Sequence, residues 1–497
     1  MSILGALIVG LYTLGLTVIF VYTLAQLHLV YYYLKEKAQR KYADYKWSEK
    51  SVEEHPMVTI QLPVYNERYV VHRLLDAVAA FNWPKEKMEI QVLDDSTDET
   101  VEMIAEKVDQ LKKEGIQIEH VRRDSREGFK AGALQYGLER AKGEFIAIFD
   151  ADFVPKPEFL HKTVHHFEHK EIGMVQTRWG HLNQNFSLLT KVQAFALNAH
   201  FTVEQKGRDN AGFFMNFNGT AGIWRKECIE DAGGWHHDTL TEDLDLSYRA
   251  QLNGWKFKYL ESVVSPAELP VAMSALKTQQ YRWTKGSAET ARKHLPNIWN
   301  TDLPLIKRIQ ATSHLLSSSI FFFILLISVL SVPLLGVKEF NSDLATFFKV
   351  AGFFLVGLVF WIIFYGSSIV RDEDSFLSKA GRLTVMFPVF LTISMGLALH
   401  NSIAVLKGYL REDSPFIRTP KFNVINGTDS WEDNKYLVSE VGLGTWIEGA
   451  LTLYFLGGLV AAFLLNDFAL APFHLMLFLG FGTIFGTSMY ETYLKLA

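Results

Sequence analysis

Asp150-Ala-Asp152 follows the apolar run Phe145–Phe149. Two carboxylates at i and i+2 past a strand can face one hard divalent cation, or divide between a cation and a ribose. Surface turns produce the same pattern, so the pair gains meaning only from its company. Asp94-Asp-Ser-Thr-Asp98 stands at the end of an earlier β-rich run, where the plain reading is a polar turn and a helix cap. Thr241-Glu-Asp243 opens a helical stretch. Acidic residues are ordinary in a first helical turn, but Asp243 could also be a general base that takes a proton from an acceptor hydroxyl. Gln279-Gln-Tyr-Arg-Trp283 offers a guanidinium fork for a diphosphate and a flat indole for a sugar ring. Its plain reading is an aromatic and basic anchor beside a membrane. The chain has no Gly-x-x-x-x-Gly-Lys-[Ser/Thr] loop, so ATP hydrolysis has no seat. The single Cys228 excludes a disulfide scaffold, and with no Cys/His cluster at zinc spacing it builds neither a zinc nor an iron–sulfur site. His165-His166 and His236-His237 read as polar surface pairs rather than metal ligands.

The elements that must position these residues alternate between strand and helix patterns across 57–265. Strands are expected at 57–62 ending at Pro63, at 88–93, 116–121 and 145–149. Helices are expected at 70–81, 99–114, 130–142 and 244–252, with Gly143 as the residue that stops the third. That order implies a mostly parallel α/β sheet. Both Asp94-Asp95 and Asp150–Asp152 then fall at carboxyl ends of strands, where open α/β sheets bind ligands.

Around this block the 497 residues are strongly apolar, 49% against 21% charged, with a formal charge of −5. Disorder is excluded by that apolar mass. A nucleic-acid partner is excluded by the acidic balance and the lack of a long basic run. The sequence points to no protein partner. Residues 1–34 carry no Asp, Glu, Lys or Arg and can span a bilayer, which needs about 20 apolar residues. The stretch is read as a retained helix. Uncharged runs recur at 312–337, 350–370, 383–406, 449–466 and 468–490. Lys35, Lys37, Arg40, Lys41, Lys46 and Lys50 follow the first helix, so the positive-inside rule puts the N-terminus outside and the polar block in the cytoplasm. The loop with Lys338, Glu339 and Asp343 is then external, and the connection with Arg371, Lys379 and Arg382 is cytoplasmic. The run 383–406 contains Thr384, Thr392, Ser394, His400, Asn401 and Ser402 and is expected to lie in the interface or re-enter. Five spanning helices leave 407–448 and the C-terminus inside. The sequons at Asn185, Asn218 and Asn426 are cytoplasmic on this reading and escape glycosylation.

The four motifs occur in one order, roughly 55, 90 and 40 residues apart. With Gln61-Leu-Pro-Val-Tyr-Asn-Glu67, Phe129-Lys-Ala-Gly-Ala-Leu134, Asn216-Phe-Asn-Gly-Thr-Ala-Gly222, Gly233-Gly-Trp235 and Gly254-Trp-Lys-Phe257, the chain resembles the processive, inverting family 2 glycosyltransferases. Within that family it most resembles cellulose synthase and the cellulose-synthase-like A and C groups, which make mannan, glucomannan and β-glucan backbones. The resemblance is strong over about 57–300. It implies an α/β GT-A-type, Rossmann-like cytoplasmic domain at 35–272 and interfacial helices at 273–311. A helical transmembrane domain is implied at 312–497, in addition to the helix 1–34.

It also implies roles. Pro63, Tyr65, Glu67 and Asp94 or Asp95 would hold nucleobase and ribose, and Lys130 the diphosphate. Asp150 would lie against the nucleotide, and Asp152 would ligate Mg²⁺ or Mn²⁺. Asp243 would be the base. Gln279, Arg282 and Trp283 would pin diphosphate and acceptor sugar, and Asn218, Gly219, Thr220 and Glu242 would line the acceptor side. Phe416, Thr419 and Lys421 match a gating-loop pattern near 407–440, with Arg418 where the pattern has Val. The implied partners are a nucleotide-sugar donor of the UDP-glucose or GDP-mannose class, a growing glycan and membrane lipid, at the plasma (inner) membrane. Ceramide glucosyltransferases share a similar motif set, so single transfer to a lipid is the alternative. A non-catalytic transporter would need intramembrane charges or inverted repeats, and the expected spans contain neither.

Overall fold

The computed structural model describes residues 2–36, 51–341, 344, 348, 350–369, 375–412, 414, 416–425, 429–432, 434–436 and 441–496. The basic residues between 37 and 50, Asp343, Arg371 and the sequon residue Asn426 lie outside that set.

Among the described residues seven strands form one sheet: β1 Val58–Val64, β2 Met88–Asp94, β3 Ile118–Arg122, β4 Phe145–Ile148, β5 Ile172–His181, β6 Gly222–Arg225 and β7 Lys256–Ala267. Their order is β3-β2-β1-β4-β6-β5-β7. Strands β1 to β4 pair in parallel, as the alternation of patterns implies. Strand β6 runs antiparallel to both β4 and β5, and β5 pairs in parallel with β7, so the sheet is mixed. Strand β2 is buried at every position, as expected for a strand covered on both faces. The core behind β1 includes Ile60, Leu62, Leu74, Leu75 and Phe149.

Three local expectations need correction. Strand β1 runs through Pro63, whose Cα pairs with Leu93, and ends at Val64. The helix beginning at Phe129 ends at Leu138. Gly143 therefore does not cap it. A Cβ there would stand 2.3 Å from the Thr59 backbone nitrogen, so the glycine permits close approach to β1. The run 383–406 is not one helix. The chain breaks near Leu397 between Phe376–Gly396 and Ala398–Tyr409. The first is long and apolar enough to span, and Gly396 lies against Gly480 of the last helix. The second buries Asn401 and Ala404.

Among the described residues, six helices are long and apolar enough to cross a membrane: Ile3–Lys35, Ser317–Glu339, Gly352–Ile369, Phe376–Gly396, Leu443–Leu464 and Ala471–Leu494. The chain is an integral membrane protein on that basis. The first helix docks on the α/β domain through its last turns. Asn210 Nδ2 donates to the Tyr32 carbonyl at 3.1 Å, and a Cβ at Gly207 would meet the Leu29 carbonyl at 2.6 Å. Gly143→Ala is expected to lower stability by about 1–3 kcal/mol through overpacking. A lower midpoint of thermal unfolding in detergent would show it, and an unchanged midpoint would contradict the packing described.

Candidate active site

The carboxyl ends of β1, β2 and β4 open into two cavities that meet. Pro63, Tyr65, Glu67, Asp95 and Arg126 line the first. Asn218, Gly219, Glu242, Asp243, Gln279 and Trp283 line the second. Lys130, Asp150, Asp152, Arg282, Phe416 and Lys421 line both. The strand-end carboxylates thus stand at the junction.

Lys130 Nζ donates to Asp150 Oδ1 at 2.6 Å and to the Gly219 carbonyl at 2.9 Å, and lies 3.8 Å from Glu242 Oε1. Burial pulls the Lys130 pKa down, but Asp150, Glu242 and Asp243 outweigh it and the net direction is up. Gly219 has φ +77°, and a Cβ there would come within 3.0 Å of Asp243 Oδ2 and 3.4 Å of Lys130 Nζ. A glycine therefore suits both the backbone and the space. Asp243 accepts from the Leu244 N–H at 2.8 Å. Burial and the Glu242 carboxylate push its pKa up to about 7, against the pull of Lys130. Glu242 is raised as well, again mainly by burial.

Two expected site residues lie outside both cavities. Asp94 is buried, accepts from the Ser96 N–H and pairs with His120 Nε2, each at 2.8 Å. Asp95 faces the cavity and takes a two-pronged bond from Arg123 at 2.8 and 2.6 Å. Thr220 is fully buried, and its Oγ1 accepts the Asp150 N–H at 2.8 Å, so it holds the carboxylate bearer and leaves the acceptor side to its neighbours. Asn218 does line the second cavity. Its Oδ1 accepts from Gln205 and Asn216, while its Nδ2 is buried without a partner.

The loop residues arrive in the cleft from 350 residues downstream of Glu67. The Phe416 ring stacks on Phe129 with centroids 5.6 Å apart, and the Arg282 guanidinium sits 4.7 Å from the Phe416 ring. Arg282 Nη2 donates to Thr419 Oγ1 at 3.1 Å. Lys421 Nζ bonds Asp152 Oδ2 at 2.7 Å. Arg418 Nη1 lies 2.8 Å from Glu67 Oε2, where burial holds the Glu67 pKa up at about 7 despite Arg418 and Lys421.

Sequence reasoning missed several residues here. The Arg126 guanidinium lies 3.3 Å from the Tyr65 ring centroid, a close cation–π stack at the donor-side wall. Its position four residues before Lys130 was the available signal. Trp179 and His181 line the second cavity from β5, a strand the sequence pattern did not expose. Trp179 approaches Trp283 at 6.4 Å. Outside the cleft His236, Asp238 and Asp245 converge, but Lys293 Nζ lies 2.8 Å from both carboxylates. The Lys293 ammonium thus sits between the two carboxylates of this group.

A family described as "Glycosyltransferase like family 2" matches residues 55–286. Glucomannan 4-beta-mannosyltransferase 7 of Arabidopsis thaliana is 40% identical over 291 residues, covering 56% of this chain and 52% of the relative. A probable glucomannan 4-beta-mannosyltransferase 11 of the same plant is 38% identical over 332 residues, covering 62% of this chain and 74% of the relative. The chain belongs to glycosyltransferase family 2. It spans about half the length of several curated relatives, 46% for the probable glucomannan 4-beta-mannosyltransferase 7 of Oryza sativa subsp. japonica. A mannosyltransferase from Pyrobaculum calidifontis, solved in complex with GDP-Man and Mn²⁺, superposes with a TM-score of 0.54 at 17% identity. It covers 83% of this chain and all of its own, which establishes the GT-A-like fold.

In the ligand-free protein the carboxyls of Glu67 and Asp243 should both titrate near pH 7, and the Asp243 band should vanish from the infrared difference spectrum in Asp243→Asn. In Glu242→Gln a negative neighbour is gone, so the Asp243 value should fall. A value unmoved by Glu242→Gln would contradict the electrostatics described here.

Proposed function

We propose that this family 2 enzyme is an inverting, processive β-glycosyltransferase that extends a β-1,4-linked polysaccharide of the mannan or glucomannan type and passes it across the membrane. The observation that carries the reading is the junction itself, where a carboxylate-lined donor-side cavity opens into a cavity walled by Trp283, Trp179 and Gln279 and bordered by Asp243. The names of the relatives support a nucleotide-sugar donor of the GDP-mannose class, with UDP-glucose the alternative. The catalytic domain would face the cytoplasm at the plasma membrane, with the N-terminus outside and lipid around the apolar helices.

On this reading Tyr65, Glu67, Asp95 and Arg126 hold the nucleoside. Lys130 and Arg282 meet the diphosphate, whose charge grows as the sugar leaves. Asp150 and Asp152 would hold a divalent cation, Mg²⁺ or Mn²⁺, and hard oxygen donors suit either ion. In the ligand-free protein the two carboxylates bond the ammonium groups of Lys130 and Lys421, which a bound ion would have to displace. When bound, that ion supplies Lewis-acid neutralisation of the departing diphosphate. Asp243 takes the acceptor hydroxyl proton. The acceptor oxygen bonds to the anomeric carbon while the bond from that carbon to the diphosphate oxygen breaks, so configuration inverts and no covalent enzyme intermediate forms. Trp283 and Trp179 offer apolar faces to the terminal sugar. Phe416, Thr419 and Lys421 would cover the donor.

Purified protein in detergent, given GDP-mannose or UDP-glucose with Mn²⁺, should make a β-1,4 polymer. Asp243→Asn should cut the rate about 10²–10⁴-fold. Wild-type kcat/KM should rise with pH through about 7, because the base acts only when deprotonated. Single-sugar transfer that requires added lipid would overturn the processive reading in favour of a glycolipid transferase.

A further inference from the structure

The segment that carries Asp243, which opens the helix Glu242–Leu252, packs against the helix Met273–Asn300 that carries Gln279, Arg282 and Trp283. Beyond those three residues, Gly286, Glu289, Thr290, Lys293 and His294 recur at three- and four-residue steps, which places them along one helix face. Each meets the segment 238–245. A Cβ at Gly286 would stand 2.8 Å from the Thr241 backbone nitrogen and 2.5 Å from its Cγ2. Glu289 Oε2 accepts the Leu240 N–H at 2.8 Å. The hydroxyls of Thr241 and Thr290 are 3.1 Å apart. Lys293 Nζ bonds Asp238, and His294 Nε2 lies 2.7 Å from Asp245 Oδ1.

Asp245 is two residues beyond Asp243, so the two side chains leave their helix in different directions. Asp243 borders the cleft, and Asp245 is fully buried against the neighbouring helix. Arg249 Nη2 lies 2.8 Å from its second oxygen. His294 Nδ1 is buried with no partner, so the shared proton sits on Nε2 and is donated to Asp245. A carboxylate taken wholly out of water is a costly group. Its surrounding donors restrict it to one geometry.

We infer that Asp245 and His294, together with the bare Cα of Gly286, are positioning residues that set the distance between the base Asp243 and the group Gln279, Arg282 and Trp283. None of the three borders the cleft. They act through Asp243, and the inference rests on the proposed transfer reaction. One rigid helix then fixes both the acceptor platform and the base, so the two keep register while the donor side is rebuilt at each turnover.

Full-length Gly286→Ala, His294→Ala and His294→Gln proteins test this, with kcat, donor KM, GDP affinity, thermal midpoint and the infrared titration of Asp243 as readouts. Gly286→Ala and His294→Ala should lose at least tenfold in kcat with GDP affinity within about twofold of wild type. Alanine favours a helix interior over glycine, so a kcat loss in Gly286→Ala without a lower thermal midpoint marks misplacement of the base rather than unfolding. His294→Gln can still donate to Asp245 and should recover most of the rate. In His294→Ala, but not His294→Gln, the Asp243 titration should move from its wild-type position. Unchanged kcat in Gly286→Ala and His294→Ala would overturn the inference, as would parallel loss of GDP affinity. If wild-type protein transfers no sugar from either donor, the reaction assignment fails, and the Asp243 titration in the two His294 variants still decides the positioning role.

Discussion

Asp150, Asp152, Glu242 and Asp243 are among the carboxylates that border one cleft, and the ammonium of Lys130 is the group that makes the crowding of Asp150, Glu242 and Asp243 tolerable. Like charges brought together out of water repel strongly. Lys130 answers three partners at once: a direct bond to Asp150, a bond to the Gly219 carbonyl, and proximity to Glu242. Much of the α/β domain can be read as the scaffold for that arrangement. Strand β4 delivers Asp150, the Phe129–Leu138 helix delivers Lys130, and the left-handed turn at Gly219 brings a carbonyl without a side chain in the way. Thr220 then holds the Asp150 backbone from the neighbouring strand side.

The membrane half of the chain completes this charge balance from a distance. Lys421 and Arg418 bring two more cations to Asp152 and Glu67. The loop is anchored further along, where Lys435 Nζ lies 3.1 Å from Asp98 and the Tyr436 hydroxyl bonds the same carboxylate. The loop's cations and a bound divalent ion with its nucleotide would compete for the same carboxylates, so donor entry and loop position are electrostatically linked. The last two membrane helices also reach the acceptor side. Glu491 accepts the Met273 and Ser274 N–H groups that open the Met273–Asn300 helix, a favourable place for a negative charge. Glu448 bonds Lys277 at 2.7 Å, two residues before Gln279.

What could be read from the sequence followed chain-local signals. Strands β1, β2 and β4 were legible because their residues are buried on both faces and run straight into acidic turns. Strands β5, β6 and β7 were not. Strand β5 mixes Gln176, Thr177, Arg178 and His181 into its apolar run: buried Gln176 and Thr177 donate to the Thr220 and Ala221 carbonyls, and His181 lines the polar cavity. The short β6 shows its role only through its partners β4 and β5. Within the motif Asp94-Asp95, sequence could not decide which carboxylate faces the cleft, since that depends on His120 from the next strand. Thr220 illustrates the same limit: a motif residue beside the cleft spends its hydroxyl on a backbone N–H. The pairing of Arg418 with Glu67 and the stack of Arg126 on Tyr65 join segments by three-dimensional closure alone. Gly143 was misread as a helix stop because its close approach to Thr59 leaves no local trace.

The central claim is that Lys130 holds the junction's carboxylates in balance and keeps Asp243 usable as a base near neutrality. The most direct test is the infrared titration of the Asp243 carboxyl in ligand-free Lys130→Gln protein, with Asp243→Asn on the same background to identify the band. Loss of the ammonium should move the Asp243 value upward from about 7, because Lys130 stabilises the ionised form. A value that stays in place or falls would contradict the account.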